Sequence, residues 1–140
     1  MTMPNLPSRR DDSSEALRGG PSVWVIDDNA EFSRAFASYI ESVASRHTTA
    51  AFSSVESAIA KLKEGAGSPD VVLLDVEMPG TNGLDGIVPL KQVAPNCRIY
   101  MLTGMDSAWH RSVAAQRGAS GYFLKPEISK ENLLQILNYR

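Results

Sequence analysis

From Val23 onward the apolar positions alternate between two periods. Short apolar runs occur at Val23-Trp24-Val25-Ile26, His47 to Phe52 (the weakest), Val71-Val72-Leu73-Leu74, Arg98 to Leu102 and Gly121-Tyr122-Phe123-Leu124. Runs this short, bounded by turn residues, read as strands buried in a parallel sheet. Between them the apolar positions fall at helical spacing. Phe32, Phe36, Tyr39, Ile40 and Val43 mark a first helix, and Val55, Ile59 and Leu62 a second. Leu84, Ile87, Val88 and Leu90 mark a third, the stretch from about Asp106 to Arg117 a fourth, and Leu133, Leu134, Ile136 and Leu137 a fifth. Ser53 and Glu56 have the spacing of a capping box for the second helix, Gly118 stops the fourth and Ser129 caps the last. Pro89 falls inside the third pattern, where it removes a backbone hydrogen bond, so a kink or an irregular start is expected there.

Five βα units in succession predict an α/β fold: a single doubly wound, five-stranded parallel sheet with helices on both faces and right-handed crossovers. The flavodoxin-like order 2-1-3-4-5 suits this size and sets the first and third strands side by side at the switch point. One folded domain is expected at 21–140, preceded by a flexible N-terminal tail at 1–20 that holds Pro4, Pro7, Ser8-Arg9-Arg10-Asp11-Asp12-Ser13-Ser14 and Gly19-Gly20. The 140 residues, 43% hydrophobic and 21% charged, are ordinary for one globular domain, and a net charge of -2 gives no pull toward nucleic acid or an anionic membrane. Cys97 is the sole cysteine, which excludes an internal disulfide and fits a packed thiol in a reducing compartment. No apolar run approaches a membrane span and no signal-peptide pattern opens the chain, so a soluble cytoplasmic protein is expected.

Candidate chemistry lies at the strand ends, where open α/β sheets place their ligands. The third strand ends in Asp75, followed by Val76-Glu77-Met78-Pro79-Gly80; alone, Asp75 reads equally well as a turn cap. The first strand ends in Asp27-Asp28, the fourth in Thr103-Gly104 and the fifth in Lys125-Pro126. Three crowded carboxylates raise one another's pKa, and a divalent cation relieves the conflict. An all-oxygen site suits Mg²⁺, while the lack of His or Cys in the cluster argues against zinc. Carboxylate, hard cation, hydroxyl and ammonium around one point are the equipment of phosphoryl transfer, with Asp75 as nucleophile, Thr103 as a donor and Lys125 as a point charge.

These four strand ends resemble the receiver domains of two-component response regulators. The carriers are Val25-Ile26-Asp27-Asp28, Leu74-Asp75-Val76-Glu77-Met78-Pro79-Gly80, Met101-Leu102-Thr103-Gly104 and Gly121-Tyr122-Phe123-Leu124-Lys125-Pro126, and the resemblance covers 22–140. It implies a phosphoryl group accepted on Asp75 from the phosphohistidine of a sensor histidine kinase or phosphotransfer protein. It further implies Mg²⁺ held directly by Asp28, largely through water by Asp27, and by the backbone carbonyl of Glu77. Thr103 and Tyr122 match the family's switch pair, which biases the surface of helix 4, strand 5 and helix 5. That surface would meet a downstream target, an output domain or a second copy of the chain. A cis Lys125–Pro126 peptide is implied as well. Gly104 stands where Ala is common and keeps access open at the cost of loop stiffness. Glu77 adds an acidic side chain near the phosphoacceptor, and Asn82-Gly83 resembles the turn before helix 3.

On this reading the chain is a signalling module and not a turnover enzyme, with no direct contact to membrane or nucleic acid. Two alternatives stand beside it: an aspartyl-phosphate phosphatase of the haloacid dehalogenase type, and a non-phosphorylated receiver-like adaptor. The phosphatase family places its nucleophile before its paired acids, the reverse of the order here. Flavin binding is disfavoured because no Gly/Ser/Thr-rich phosphate loop follows the first strand. No output sequence follows Arg140, so the chain is expected either to act through protein contacts or to come from a longer regulator. His47 and His110 are expected to be solvated, with His110 beside Trp109 as a candidate contact patch. Met78, Met101 and Met105 read as packing.

Overall fold

The computed structural model describes residues 21–65 and 67–138; the expected tail at 1–20 lies outside the described residues. Among the described residues five strands and five helices alternate: β1 (Ser22–Ile26), α1 (Ala30–Val43), β2 (Thr48–Phe52), α2 (Val55–Lys63), β3 (Val71–Leu74), α3 (Gly83–Val93), β4 (Arg98–Thr103), α4 (Ala108–Arg117), β5 (Gly121–Leu124) and α5 (Lys130–Asn138). All strand pairs are parallel and the order is β2-β1-β3-β4-β5, the flavodoxin-like arrangement expected from the alternation. Every residue of β3 is buried, which is why that run is uniformly apolar.

Alternation along each strand sorts the core into two layers. Trp24, Ile26, Val72, Leu74, Ile99 and Met101 face α2, α3 and α4, meeting Val55, Leu62, Leu84, Ile87, Leu90 and Ala114. Val23, Val25, Val71, Leu73, Tyr100 and Leu102 face α1 and α5, meeting Ile40, Leu133, Ile136 and Leu137. Ile26 pairs with Leu74, and Thr103 with Leu124. That register brings Asp27, Asp75, Thr103 and Lys125 to one end of the sheet.

Several local expectations change. The α2 cap is Ser54, whose hydroxyl accepts from Ser57 N at 3.0 Å, in place of Ser53. Glu56 closes no capping box because its carboxylate reaches to Thr81 instead. α4 opens at Ala108 on a Ser107 cap, two residues later than the pattern suggested. Helix α3 runs through Pro89 and starts regularly on Asn82, whose side chain accepts from Asp85 N at 2.9 Å. The carbonyl that Pro89 cannot serve belongs to Asp85, a residue on the exposed face of the helix. The cis Lys125–Pro126 expectation fails: no peptide among the described residues is cis. Leu124 O accepts from both Glu127 N and Ile128 N, at 2.9 and 3.0 Å, closing the turn with a trans bond.

His47 is also not solvated. It is 9% exposed, and its Nε2 lies 3.2 Å from the carbonyl of Leu137, joining the start of β2 to the end of α5. His110 is half-buried, with its Nδ1 buried and unpartnered. The Gly118 stop, at φ 111°, and the Ser129 cap, accepting from Asn132 N at 3.0 Å, are as expected. Among the described residues no helix is long and apolar enough to cross a membrane.

Candidate functional site

Asp27 and Asp75 sit directly past paired residues of β1 and β3, and the sheet's hydrogen bonding extends to them. Asp75 N donates to Ile26 O at 3.0 Å, and Asp27 N donates to Phe52 O at 2.9 Å. On the other side, Lys125 N donates to Thr103 O at 2.8 Å. Backbone geometry therefore fixes where these side chains begin. Asp27 is 2% exposed, Asp75 6% and Thr103 1%, whereas Asp28 faces solvent.

One carboxylate oxygen from each of Asp27, Asp28 and Asp75 lies within 4.8 Å of the others. The Lys125 ammonium is 2.7 Å from Asp27 Oδ2 and 3.6 Å from Asp75 Oδ2. Asp27 Oδ2 is buried and makes no hydrogen bond of good angle, so the ammonium beside it is what offsets its charge. Asp27 Oδ1 accepts from Asn29 N at 2.9 Å, and Asp75 Oδ1 accepts from Val76 N at 2.8 Å. Burial pushes the Asp75 carboxyl above its ordinary value, and the Asp27 charge adds to this; a hydrogen bond from Thr103, the Lys125 charge and the Val76 amide pull the other way. The donor set is all oxygen, one acid is exposed, and a buried carboxylate oxygen lacks a hydrogen bond. These features fit a hard divalent cation.

Thr103 and Tyr122 meet on one residue. Met105 N donates to Thr103 Oγ1 at 3.2 Å, and the Tyr122 hydroxyl donates to Met105 O at 2.6 Å. Tyr122 is half-buried, packed against the α2–α4 layer, with the Arg111 guanidinium 4.8 Å from its ring centroid. Burial pushes its phenol up, and Arg111 opposes the shift. Glu77 is exposed and lines an open cleft of about 480 Å³ with Met78, Met105 and His110. Trp109, 64% exposed, stands edge-on to His110 with centroids 5.2 Å apart.

Three residues around the site carried no strong signal. A Cβ at Gly83 would come 1.9 Å from Asp75 O, so only glycine permits this approach of α3 to the end of β3. The Asn82-Gly83 pair hinted at a turn but not at that contact. Glu56 Oε2 accepts from Thr81 N at 3.1 Å and from Thr81 Oγ1 at 2.5 Å, tying the segment after Asp75 to α2. Phe32, read as a core position of α1, places its ring under the Lys125 ammonium, 4.3 Å from the centroid.

The family described as "Response regulator receiver domain" matches residues 23–138. Chemotaxis protein CheY of Thermotoga maritima is 30% identical over 107 residues, 76% of this chain and 87% of that protein. The nitrate/nitrite response regulator protein NarL of Escherichia coli is 37% identical over 70 residues, 50% of this chain but 32% of that protein. The chain thus spans about a third of the length of NarL and of the transcriptional regulatory protein MctR of Rhizobium johnstonii, which it also matches. Among solved structures, a response regulator protein from Burkholderia pseudomallei aligns with TM-score 0.74 at 28% identity, covering 85% of this chain and 67% of that one. That crystal structure contains a phosphorylated aspartic acid, a calcium ion and citrate.

Proposed function

The chain belongs to the response regulator receiver domain family, and from that premise we propose that it accepts a phosphoryl group on Asp75 from the phosphohistidine of a sensor histidine kinase or phosphotransfer protein. The observation that carries this is the convergence of Lys125 and Thr103 on a buried Asp75 that shares its notch with Asp27 and Asp28. Asp75 contributes a carboxylate oxygen to phosphorus; an O–P bond forms as the P–N bond breaks, and the imidazole leaves with the electron pair. Lys125 offers its ammonium to one phosphoryl oxygen and Thr103 its hydroxyl to another. Asp27, Asp28, Asp75 and the Glu77 backbone carbonyl would hold Mg²⁺, which supplies the remaining charge neutralisation when bound.

Thr103 cannot donate its single hydroxyl proton to the phosphoryl group and to the Asp75 carboxylate at once. Its movement acts on Met105, and through Met105 on Tyr122, biasing the surface of α4, β5 and α5. That surface is where a downstream target, an output domain or a second copy of the chain would be recognised. The working unit is residues 21–140.

Treatment with acetyl phosphate and Mg²⁺ followed by intact-mass spectrometry tests the reading. One added phosphoryl group, absent in Asp75→Ala and absent with excess chelator, is the expected result. Repeated turnover of a small phosphate ester would mark a hydrolase instead, and an unmodified wild-type chain would remove the phosphoacceptor reading.

A further inference from the structure

We propose that Phe32 is a positioning residue for Lys125, holding the ammonium over the phosphoacceptor with the face of its ring; the proposal deepens the reading of Lys125 given above. A lysine side chain carries four rotatable bonds and a compact charge, and is costly to hold in one place. Its two carboxylate partners restrain it unequally, at 2.7 Å from Asp27 and 3.6 Å from Asp75. The third restraint is the Phe32 ring, 4.3 Å from Nζ to the centroid. An ammonium within about 6 Å of a ring centroid is attracted by the quadrupole of the π face.

The ring is itself fixed. Asn29 caps α1 by accepting from Phe32 N at 3.0 Å, and the Asn29 backbone donates to Asp27 Oδ1 at 2.9 Å. The contacts therefore close a circuit: Asp27 to Asn29, Asn29 to Phe32, Phe32 to Lys125, and Lys125 back to Asp27 through its other carboxylate oxygen. Behind Phe32 stacks Phe36, with centroids 5.4 Å apart and planes inclined by 16°, and both pack on the α1–α5 core layer. The ring cannot swing away without breaking that stack.

Chemistry explains why an aromatic suits this position. A further carboxylate would hold the ammonium but would add negative charge to a notch that already has three. A hydroxyl or carbonyl would consume one of its three N–H donors. A π face attracts the cation without adding another acceptor, so the donors not turned to Asp27 stay available for phosphoryl oxygens, and an aliphatic side chain would fill the space without attraction.

The test compares Phe32→Leu, which keeps an apolar side chain, with Phe32→Tyr, which keeps the ring face. In the wild type and Phe32→Tyr, the Lys125 Hε resonances should lie upfield through ring current, and in Phe32→Leu they should return to ordinary lysine positions. The saturated rate of phosphorylation by acetyl phosphate should fall roughly three- to tenfold in Phe32→Leu and recover in Phe32→Tyr. Affinity for Mg²⁺ alone, measured by calorimetry, should not weaken in either, because Phe32 touches no metal-binding oxygen; a collapsed site would lose both. Wild-type speed in Phe32→Leu, or a Phe32→Tyr as slow as Phe32→Leu, would overturn the assignment. If the wild type accepts no phosphoryl group, the phosphoacceptor reading falls, and the Lys125 resonances alone decide the role of Phe32.

Discussion

Two loops border Asp75, and they are built in opposite ways. The segment between β3 and α3 is anchored at both ends by backbone. Gly83 N donates to Val76 O at 2.8 Å, and Gly83 has no room for a Cβ against Asp75 O. Midway, Thr81 is tied to Glu56 by two hydrogen bonds. The segment between β4 and α4 hangs instead on two side-chain hydroxyls that meet at Met105. A loop defined by sterics has one arrangement, whereas a loop defined by two hydroxyl bonds can exchange them at small cost. On the proposed function, the first would be a platform for phosphoryl transfer and the second the part that moves when a charge is added.

The largest effect is expected where the platform is tightest. Gly83→Ala places a methyl against the Asp75 carbonyl, and neither backbone can yield without disturbing β3. A loss on the order of 2–3 kcal/mol in urea unfolding is expected, despite alanine's better helix propensity. An unchanged midpoint would mean that the platform is softer than its contacts imply.

Asp75→Asn probes the electrostatic link between the loops. Burial and Asp27 raise the folded-state pKa of Asp75 above its ordinary value. The folded chain therefore binds more protons than the unfolded one across that window, and the Asp75 contribution to stability declines as pH rises from the ordinary carboxylate range through the raised value. In metal-free buffer, Asp75→Asn should melt higher than the wild type at neutral pH. The gain should vanish below about pH 3.9, where the acid is protonated in both states. A gain that grows on acidification would reverse the sign.

At the loop held by hydroxyls, Tyr122→Phe removes the donor to Met105 O while keeping the packed ring. A loss of about 1 kcal/mol is expected, with amide exchange accelerated at Met105 and not at Thr81. Equal acceleration at both loops would erase the contrast between them.

Much of this was readable from the chain. Four strand ends with their polar residues follow from short apolar runs, because a strand buried on both faces tolerates polarity only where it leaves the sheet. Strand order follows from length and alternation. What escaped was contact between elements distant in sequence. Glu56 has the right spacing from Ser53 for a local cap, yet Thr81, on another segment, supplies better donors. Phe32 reads as core by periodicity, and periodicity cannot report that the face of its ring lies beneath a lysine from β5's end. His47 looks polar until α5 packs back and offers it a carbonyl. The trans Lys125–Pro126 bond corrects an expectation drawn from resemblance, since nothing in the residues themselves required cis.

The smallest effect should come from the exposed tie that completes the platform. Glu56→Ala leaves the Thr81 amide and hydroxyl to water, which can satisfy both, so global stability should hardly change. Local opening is a separate quantity: amide exchange at Thr81 should quicken several-fold while Met105 stays as it was. The Thr81 hydroxyl, then Glu56's own backbone and the Thr81 amide hold the Glu56 carboxyl below its ordinary value. A lowered carboxylate pKa contributes stability that is present above the ordinary range and lost as pH falls through the folded value. Acidification below about pH 4.3 should therefore loosen the wild-type loop toward the Glu56→Ala behaviour, opposite in sign to the effect at Asp75. Exchange at Thr81 that ignores both the substitution and the acid would show the platform to be held by Gly83 alone.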